Sequence, residues 1–226
     1  MRVSRLVLAA AAALLCACAS PHKHDNLAVY VSKAGLEAME FPAAPAPGSP
    51  EDQADFEALR EWQAKRTPEQ CAAAGKEGDA LLEDFFGDMK PFKSRLPGES
   101  RRFILRYRED LSTAVELLKV RNARRRPFHS DAALEPCVGR IGGLAYPSGH
   151  ATLSRAFALL LGELMPARKA EFIARADEAA LYRVISGVHH PSDIEAGKRL
   201  AEQLFPRFME NSEFRAQVDK LRAYAN

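Results

Sequence analysis

The sequence predicts an all-α fold, a single domain built as a multi-helix bundle. Helix start and stop signals recur from Glu51 onward. No segment alternates apolar and polar residues between turn signals, as a half-buried strand would. One segment also repeats its apolar residues with helical spacing along one face, which indicates a buried helix. These residues are Leu153, Phe157, Leu160, Leu161 and Leu164.

The composition is that of an ordinary globular protein. Of the 226 residues, 47% are hydrophobic and 27% are charged, which excludes a disordered, collagen-like or coiled-coil chain. The 32 basic residues nearly balance the 30 acidic ones, so the net charge is only +2. Overall charge therefore predicts no nucleic-acid partner, and a charged site has to be a local cluster.

Residues 1–19 have the pattern of an export signal. Arg2 and Arg5 precede an unbroken apolar stretch, residues 6–19, that is too short to span a bilayer. Its end allows two interpretations, which stay open. One is signal-peptide cleavage after Ala19, and the other is a bacterial lipoprotein box in which Cys18 carries a lipid anchor. In both cases we expect a periplasmic protein, attached to the outer membrane in the second.

Two parts follow the leader. Residues 20–50 are expected to form an extended arm, since the prolines between Phe41 and Pro50 exclude a helix there. Residues 51–226 are expected to form the helical domain. No later stretch has 18 consecutive apolar residues, so we expect no transmembrane span after the leader.

The helices of this domain can be placed in order. A capped helix is predicted to start at Thr67 and to run toward Phe86. The next covers residues 101–125, with a break expected near residues 111–113, and stops at Pro127. The remaining helices are expected at residues 153–164, 167–187, 192–205 and 207–223.

Two cysteines, Cys71 and Cys137, lie beyond the leader. In an oxidising periplasm they can pair and close a long loop, which would stabilise an unstrained fold by ~4 kcal/mol in the chain-entropy model. The alternative is two buried free thiols.

The first of three patterns that carry chemistry is a pair of cations. Lys119 and Arg126 are seven residues apart, which places them on one face of a helix, and Pro127 would end that helix at the arginine. The alternative is a solvated basic face that includes three neighbouring arginines. These are Arg121, Arg124 and Arg125.

The second pattern is Pro147-Ser148-Gly149-His150, which follows a glycine-rich loop and opens the 153–164 helix. The first N–H groups of a helix lack internal partners, so Ser148 and Gly149 offer a cradle for an anion. His150 at this helix start can exchange a proton near neutral pH. The alternative is that Ser148 is a plain N-cap and His150 a surface residue.

The third pattern joins Arg183, His189 and Asp193. Asp193 lies four residues after His189, so its carboxylate can bind one ring nitrogen while the other faces a substrate. The alternative is a helix-starting Asp beside a surface histidine pair. His129 and His190 are interpreted as structural or rim residues.

In this order and spacing, the three patterns resemble the signature of the type-2 phosphatidic acid phosphatase superfamily, which includes the bacterial class A nonspecific acid phosphatases. That signature is Lys, six residues, Arg-Pro; then Pro-Ser-Gly-His; then Ser-Arg, five residues, His, three residues, Asp. The sequence departs from it at Tyr182, where the family usually has Ser. The change concerns a supporting hydrogen bond beside Arg183.

The resemblance implies a fold of the acid phosphatase/vanadium haloperoxidase type and an acid phosphatase of broad specificity for small phosphomonoesters. It also implies roles for three residues. His189 would attack phosphorus and form a phosphohistidine, Asp193 would orient it, and His150 would protonate the leaving oxygen. The phosphate-binding groups would be Lys119, Arg126, Ser148, Gly149 and Arg183.

We expect no metal and no other cofactor, because fixed cations supply the charge neutralisation that a metal would. Inhibition by vanadate and an acidic pH optimum are expected, and a homodimer is an expectation that the resemblance adds. Three alternatives stay open. They are a phosphotransferase, a lipid-phosphate phosphatase of the same superfamily, and a phosphate-binding protein without turnover.

Overall fold

The structure is a computed structural model that describes residues 29–226. Within that range it has helices and no β-strand, and the predicted all-α class is confirmed. The export signal, with its two alternatives at Cys18, lies outside the described residues. The helices are α1 (Lys33–Glu37), α2 (Pro50–Lys65), α3 (Pro68–Lys76), α4 (Leu82–Phe86), α5 (Gly98–Asn122), α6 (Pro127–Ser130), α7 (Gly149–Leu164), α8 (Lys169–Ile185), α9 (Pro191–Glu210) and α10 (Ser212–Arg222).

Helix α7 is the centre of the bundle. It packs along its length against α8 and α9, and it also touches α5 and α10. Phe157, Leu160 and Leu161 on this helix have no exposed surface. A helix that is covered on all sides has to be apolar around its whole circumference. The start of α7 is therefore fixed inside the fold.

Gly197 allows α9 to approach the first turn of α7. A Cβ atom at this position would lie 2.5 Å from the backbone oxygen of Ser148 and 2.9 Å from Cβ of Ala151, so only glycine fits there. Asp193 lies one turn earlier on α9, and its backbone oxygen accepts a hydrogen bond from the Ser148 N–H at 2.9 Å. The close contact therefore brings two of the predicted site segments together.

The described part of the N-terminal arm, residues 29–49, lies against α5. The carboxylate of Asp110 accepts hydrogen bonds from the backbone N–H groups of Val29 and Tyr30 at 2.9 and 2.8 Å. Tyr30 is buried between Phe103 and Phe214. The arm includes the short helix α1, which Ser32 caps.

No helix among residues 29–226 combines the length and the apolar character needed to cross a membrane.

The break predicted near residues 111–113 is wrong, because α5 continues from Gly98 to Asn122. Ser112 and Thr113 each donate their hydroxyl to the carbonyl four residues earlier, which satisfies these groups inside the helix. Leu111 is fully buried, so packing favours the continuous helix.

The single helix predicted from Thr67 toward Phe86 is also wrong, because α3 ends at Lys76 and α4 starts at Leu82. Ala80 adopts a φ of 51°, in the left-handed region, and redirects the chain between them. This segment also reaches the site, because the backbone carbonyl groups of Ala74 and Glu77 lie beside Arg183 of α8 and His150 of α7.

The boundary predicted between the last two helices is five residues too early, since α9 continues through Pro206 to Glu210. Leu204 and Phe208 are both buried on one face, which holds the helix together across the proline. Pro206 itself is exposed, so water can reach the carbonyl group that the missing N–H leaves free.

Candidate active site

The predicted site residues come from four helices and two connecting segments. Lys119 lies in the last turn of α5, and Arg183 lies in the last turn of α8. Ser148 is the N-cap of α7, followed directly by Gly149 and His150. The remaining three are Arg126 just before α6, His189 between α8 and α9, and Asp193 in the first turn of α9.

Lys119 and Arg126 do not share a helix, contrary to the prediction. Helix α5 ends at Asn122, Ala123 adopts a left-handed conformation, and Arg126 precedes Pro127 at the start of α6. The proline therefore begins a helix instead of ending one, as its fixed φ and missing N–H allow. Arg126 is directed inward as a result and is buried.

Arg126 makes direct contact with His189. One terminal nitrogen, Nη1, lies 2.8 Å from Nε2 of His189 and donates to the carbonyl of Val188 at 3.0 Å. The other, Nη2, donates to the carbonyl of Gly142 at 3.1 Å. Burial lowers the pKa of Arg126, and the charge of Asp193 opposes this. The guanidinium is thus fixed beside the imidazole.

The tautomer of His189 follows from these contacts. Arginine can only donate, so Nε2 of a neutral His189 accepts and carries the lone pair. The proton then lies on Nδ1, which faces Oδ2 of Asp193 at 3.4 Å. Burial first, and the charges of Arg126 and Arg183, lower the pKa of His189 well below its ordinary value although Asp193 opposes them. The ring is therefore neutral near pH 7.

Asp193 is fully buried and accepts more than one hydrogen bond. Its Oδ2 atom lies 2.9 Å from Nδ1 of His190 and also accepts from the backbone N–H of His190 at 2.8 Å. Burial alone would raise the pKa of Asp193, but the hydrogen bonds of His189 and His190 outweigh it and hold that pKa well below the ordinary value. The carboxylate is therefore charged at any physiological pH.

Arg183 offers a free donor inside the protein. Its side chain is buried and donates from Nη1 to the carbonyl of Ala74 at 3.2 Å. Its Nε atom has no hydrogen-bond partner among the described residues. Burial and the nearby charge of Arg126 lower the pKa of Arg183 to about 10, so it remains a cation. An unpaired buried donor is costly unless a ligand oxygen satisfies it.

His150 lies at the start of α7 with its ring fixed by the turn after α3. Its Nε2 atom lies 2.9 Å from the backbone oxygen of Glu77, so Nε2 carries the proton and Nδ1 is the basic nitrogen. Burial, and then the charges of Arg183, Arg126 and Lys119, lower the pKa of His150 to about 3. All three cations therefore oppose protonation of the ring.

Lys119 and the start of α7 complete the set. The Nζ atom of Lys119 lies 2.9 Å from Glu116, and its side chain is mostly buried. Ser148 is fully buried and its hydroxyl accepts the N–H of Ala151. Within residues 29–226 no group of three or more His, Cys, Asp or Glu side chains could hold a metal ion. Together, the side chains form a cationic site of the kind that binds a tetrahedral oxyanion.

Part of this chain matches a known protein family. Residues 110–203 match the PAP2 superfamily and include every predicted site residue outside the disulfide. Residues 110–203 of this chain are therefore similar to the PAP2 superfamily.

Curated relatives match over the same region. A non-specific acid phosphatase from Providencia stuartii is 36% identical over 76 residues, which is 34% of this chain and 31% of that protein. A lipid A 1-phosphatase from Rhizobium etli is 38% identical over 87 residues, which is 37% of this chain and 38% of that protein. The chain thus aligns with about a third of the length of these relatives.

Two solved structures share the fold. One is a transmembrane PAP2-type phosphatidylglycerolphosphate phosphatase from Bacillus subtilis, with a TM-score of 0.52 and 17% identity, covering 73% of this chain and 87% of that one. The other is a bacterial vanadium-dependent iodoperoxidase, with a TM-score of 0.52 and 16% identity, covering 80% of this chain and 53% of that one. The predicted fold of the acid phosphatase/vanadium haloperoxidase type is therefore confirmed.

A disulfide joins Cys71 of α3 to Cys137. Cys137 precedes the glycine-rich loop, residues 139–143. The two elements that it links both contact the site. The segment from α3 supplies the carbonyl groups of Ala74 and Glu77, and the loop supplies those that bind Arg126.

The sequence also pointed to Tyr182, His129 and His190. The hydroxyl of Tyr182 donates to Glu178 at 3.0 Å, along the outer side of α8. His129 is exposed. His190 is buried, in agreement with its interpretation as a structural residue, and it contacts Asp193 directly.

Arg124 is a residue that the sequence did not single out. The alternative interpretation placed it with Arg121 and Arg125 on a solvated basic face, but its side chain is only 8% exposed and donates to Asp193 at 2.8 Å. Two carboxylates of α2, those of Asp52 and Asp55, also bind it at 2.8 Å. Nothing local in the run of arginines distinguishes Arg124, because its partners lie about 70 residues away in either direction.

Proposed function

We propose that this protein is a phosphatase that hydrolyses phosphomonoesters through a covalent phosphohistidine at His189. The observation that carries the proposal is the tautomer of His189. Its Nδ1–H faces Asp193, and its Nε2 lone pair lies 2.8 Å from Arg126. A neutral ring held in this way presents a nucleophile beside a cation suited to phosphoryl oxygens.

Binding of the phosphate is assigned to three cations and one helix start. Arg126, Arg183 and Lys119 would neutralise the dianion, and the unpaired Nε–H of Arg183 would donate to one oxygen. The backbone N–H of Gly149 would complete the cradle, because the start of α7 carries a partial positive charge, whereas the N–H of Ser148 already donates to the backbone oxygen of Asp193. This charge would also stabilise the transferring phosphoryl group, so the proposed reaction needs no metal.

The reaction would proceed in two steps. In the first, Nε2 of His189 attacks phosphorus, the bond to the ester oxygen breaks, and His150 gives that oxygen a proton. In the second, His150 takes a proton from water as the water oxygen attacks phosphorus, and the bond to His189 breaks. Phosphate leaves, and His150 is again protonated. Asp193 would stabilise the positive charge that develops on His189 in the first step.

The pKa of His150 bears on the pH optimum of this reaction. His150 has to be protonated to act as an acid, and its pKa is about 3 in the free protein, where burial and three cations oppose a further positive charge. A bound phosphate dianion offsets those cations, so substrate binding raises the pKa of His150. Activity should therefore be highest at acidic pH, with a substrate-bound enzyme whose His150 is protonated.

Export to the periplasm remains part of the proposal. It rests on the leader, residues 1–19, and it is supported by the disulfide between Cys71 and Cys137, which is typical of oxidising compartments. Lipid attachment at Cys18 and a homodimer stay proposals of the same kind.

A lipid-linked phosphate is the second candidate substrate. The identity to the lipid A 1-phosphatase from Rhizobium etli is as high as that to the acid phosphatase, over a stretch of similar length. Comparing kcat/KM for a small aryl phosphate and for a phospholipid monoester in detergent micelles would decide between the two. A preference for the micellar ester by a factor of ten or more, about 1.4 kcal/mol, would favour the lipid.

The proposed function is tested with a chromogenic aryl phosphate in excess chelator, with and without vanadate. We expect cleavage that resists the chelator and is blocked by vanadate, with a His189→Ala variant as the inactive control. Cleavage that stops in chelator would contradict the metal-independent reaction. Phosphate binding without cleavage would indicate a binding protein. Adding an alcohol acceptor and comparing alcohol released with phosphate released would detect phosphotransfer.

A further inference from the structure

Arg124 is the centre of a buried ionic network that connects α2 to α9. Its Nη2 atom donates to Asp52 Oδ1 and Asp55 Oδ2, both at 2.8 Å. Its Nη1 atom donates to Asp193 Oδ1 at 2.8 Å and to the hydroxyl of Ser192 at 2.6 Å. One guanidinium therefore binds three carboxylates from two separate helices.

The acids of α2 are fixed in turn by α9. Oδ1 of Asp55 accepts the backbone N–H of Ser192 at 2.9 Å, and its Oδ2 atom accepts the Ser192 hydroxyl. Asp55 is 4% exposed, and the side chains of Arg124 and Asp52 are 8% and 13% exposed, so these charges are largely removed from water. Charges buried in this way are tolerated only when they are paired in good geometry. The network therefore holds its side chains in one orientation.

The network ends on the carboxylate that faces the proposed nucleophile. Arg124 binds Oδ1 of Asp193, and the other oxygen of the same carboxylate, Oδ2, faces Nδ1 of His189. The position of Oδ1 fixes the rotation of the carboxylate, and with it the position of Oδ2. Arg124 does not contact His189 itself.

From these contacts we propose that Arg124 is a positioning residue for His189, acting through Asp193 and held by the two acids of α2. The inference rests on the proposed function only for its effect on turnover. The neighbouring Arg125 is exposed and belongs to the same run of arginines, so it serves as the matched control.

The charged groups around His189 predict how its titration responds. Asp193 acts on it from α9, Arg126 from the segment before α6, and Arg183 from α8. Without Arg124, the carboxylate of Asp193 has one cation fewer and attracts a proton on His189 more strongly. The pKa of His189 should then rise, so the nucleophile is protonated over a wider acidic range.

The experiment compares Arg124→Gln, Arg124→Lys and Arg125→Gln with the wild-type protein. In Arg124→Gln we expect kcat for an aryl phosphate to fall by about tenfold to a hundredfold, because the nucleophile is misplaced. The inhibition constant for inorganic phosphate should stay within about twofold, because Arg124 is not in the phosphate cradle. The pH below which kcat/KM begins to fall should be higher than in the wild type by about half a pH unit or more. Arg124→Lys should restore the pH profile better than kcat, and Arg125→Gln should match the wild type.

A second readout separates this inference from the proposed function. The ring nitrogens of His189 are titrated by NMR in the same variants, which requires no turnover. Activity missing from the wild type would overturn the proposed function, and the His189 titration would still decide the role of Arg124.

The inference would be overturned if the His189 titration and kcat were the same in Arg124→Gln and Arg125→Gln. It would also be overturned if Arg124→Gln lost phosphate affinity along with kcat, because that result indicates general disruption of the site. If Arg124→Gln does not fold, Asp52→Asn removes one acceptor of the guanidinium and should lower kcat by a smaller factor. Because it removes an anion, it should lower the pKa of His189 instead of raising it. Unchanged kcat in a folded Asp52→Asn protein would then count against the inference.

Discussion

The Nε2 atom of His189 lies 2.8 Å from Nη1 of Arg126. The contact fixes the lone pair of the ring on the side that faces the cations, and it leaves Nδ1–H for Asp193. The nitrogen that would attack phosphorus is therefore beside a group that would bind its oxygens, and the following predictions depend on this arrangement.

Replacing His189 with Ala should abolish turnover, because no other group takes over the attack on phosphorus. Replacing His190 with Asn should leave most of it, since an Asn amide can still donate to Asp193 as His190 Nδ1 does at 2.9 Å. Single-turnover kinetics with an aryl phosphate, together with circular dichroism for folding, measures both. Equal losses in two folded variants would mean that the nucleophile is misassigned.

The general-acid role of His150 predicts a dependence on the leaving group. A nitrophenolate leaves without a proton, whereas an alkoxide needs one, so His150→Ala should slow alkyl phosphate hydrolysis about 10²- to 10⁴-fold and nitrophenyl phosphate hydrolysis much less. Burst kinetics on both esters gives the rate of the first step. A loss of the same size on the two esters would show that His150 does not protonate the leaving oxygen.

The lowered pKa values of His150 and His189 predict that the ligand-free protein loses stability in acid. Both rings bind a proton more readily in the unfolded chain, whose histidine pKa is about 6.5, than in the fold, where that of His150 is about 3. Stability contributed by the neutral rings is therefore present above pH ~6.5 and declines as the pH falls below it.

Thermal denaturation from pH 7 to pH 4 measures this dependence. Tm should fall with the pH, and the fall should be smaller in His150→Gln, which has no titrating ring at that position. The depressed pKa of Asp193 adds little above about pH 5, because its unfolded pKa is about 3.9. Parallel curves for the two proteins would contradict a buried, neutral His150.

Removal of the disulfide should reduce both stability and activity. The bond closes a loop between residues 66 positions apart, which in the chain-entropy model stabilises the fold by about 4 kcal/mol. It also restrains α3. The backbone oxygens of Ala74 and Glu77 in this segment bind Arg183 and His150. A Cys71→Ser/Cys137→Ser variant should have a lower Tm, and below that Tm its kcat should also be lower. Unchanged kcat in the folded variant would limit the bond to a role in stability.

The fold class could be predicted from the sequence because α7 and its neighbours are long, apolar and clearly bounded. Helix limits that depend on distant packing could not. Ser112 and Thr113 suggested a break, but their hydroxyl groups bind α5 itself, and the burial of Leu111 favours a continuous helix. Pro206 suggested an end, but buried residues on both sides of it keep α9 intact.

The side chains of the candidate site could be selected from their spacing, but their surroundings could not. The carbonyl groups of Ala74 and Glu77 that hold Arg183 and His150 are backbone atoms, and every residue has one. The difference between Arg124 and Arg125 comes from α2, far away along the chain. Such contacts follow from tertiary packing, which no local pattern reports.

The most direct test of the account is to trap the covalent intermediate. The protein is mixed with a ³²P-labelled aryl phosphate and quenched in alkali within milliseconds, and the labelled peptide is identified by mass spectrometry. The account predicts a base-stable, acid-labile phosphoryl group on His189, formed as fast as the alcohol is released and absent from the His189→Ala variant. Rapid alcohol release with no labelled protein, or a label on another residue, would contradict it.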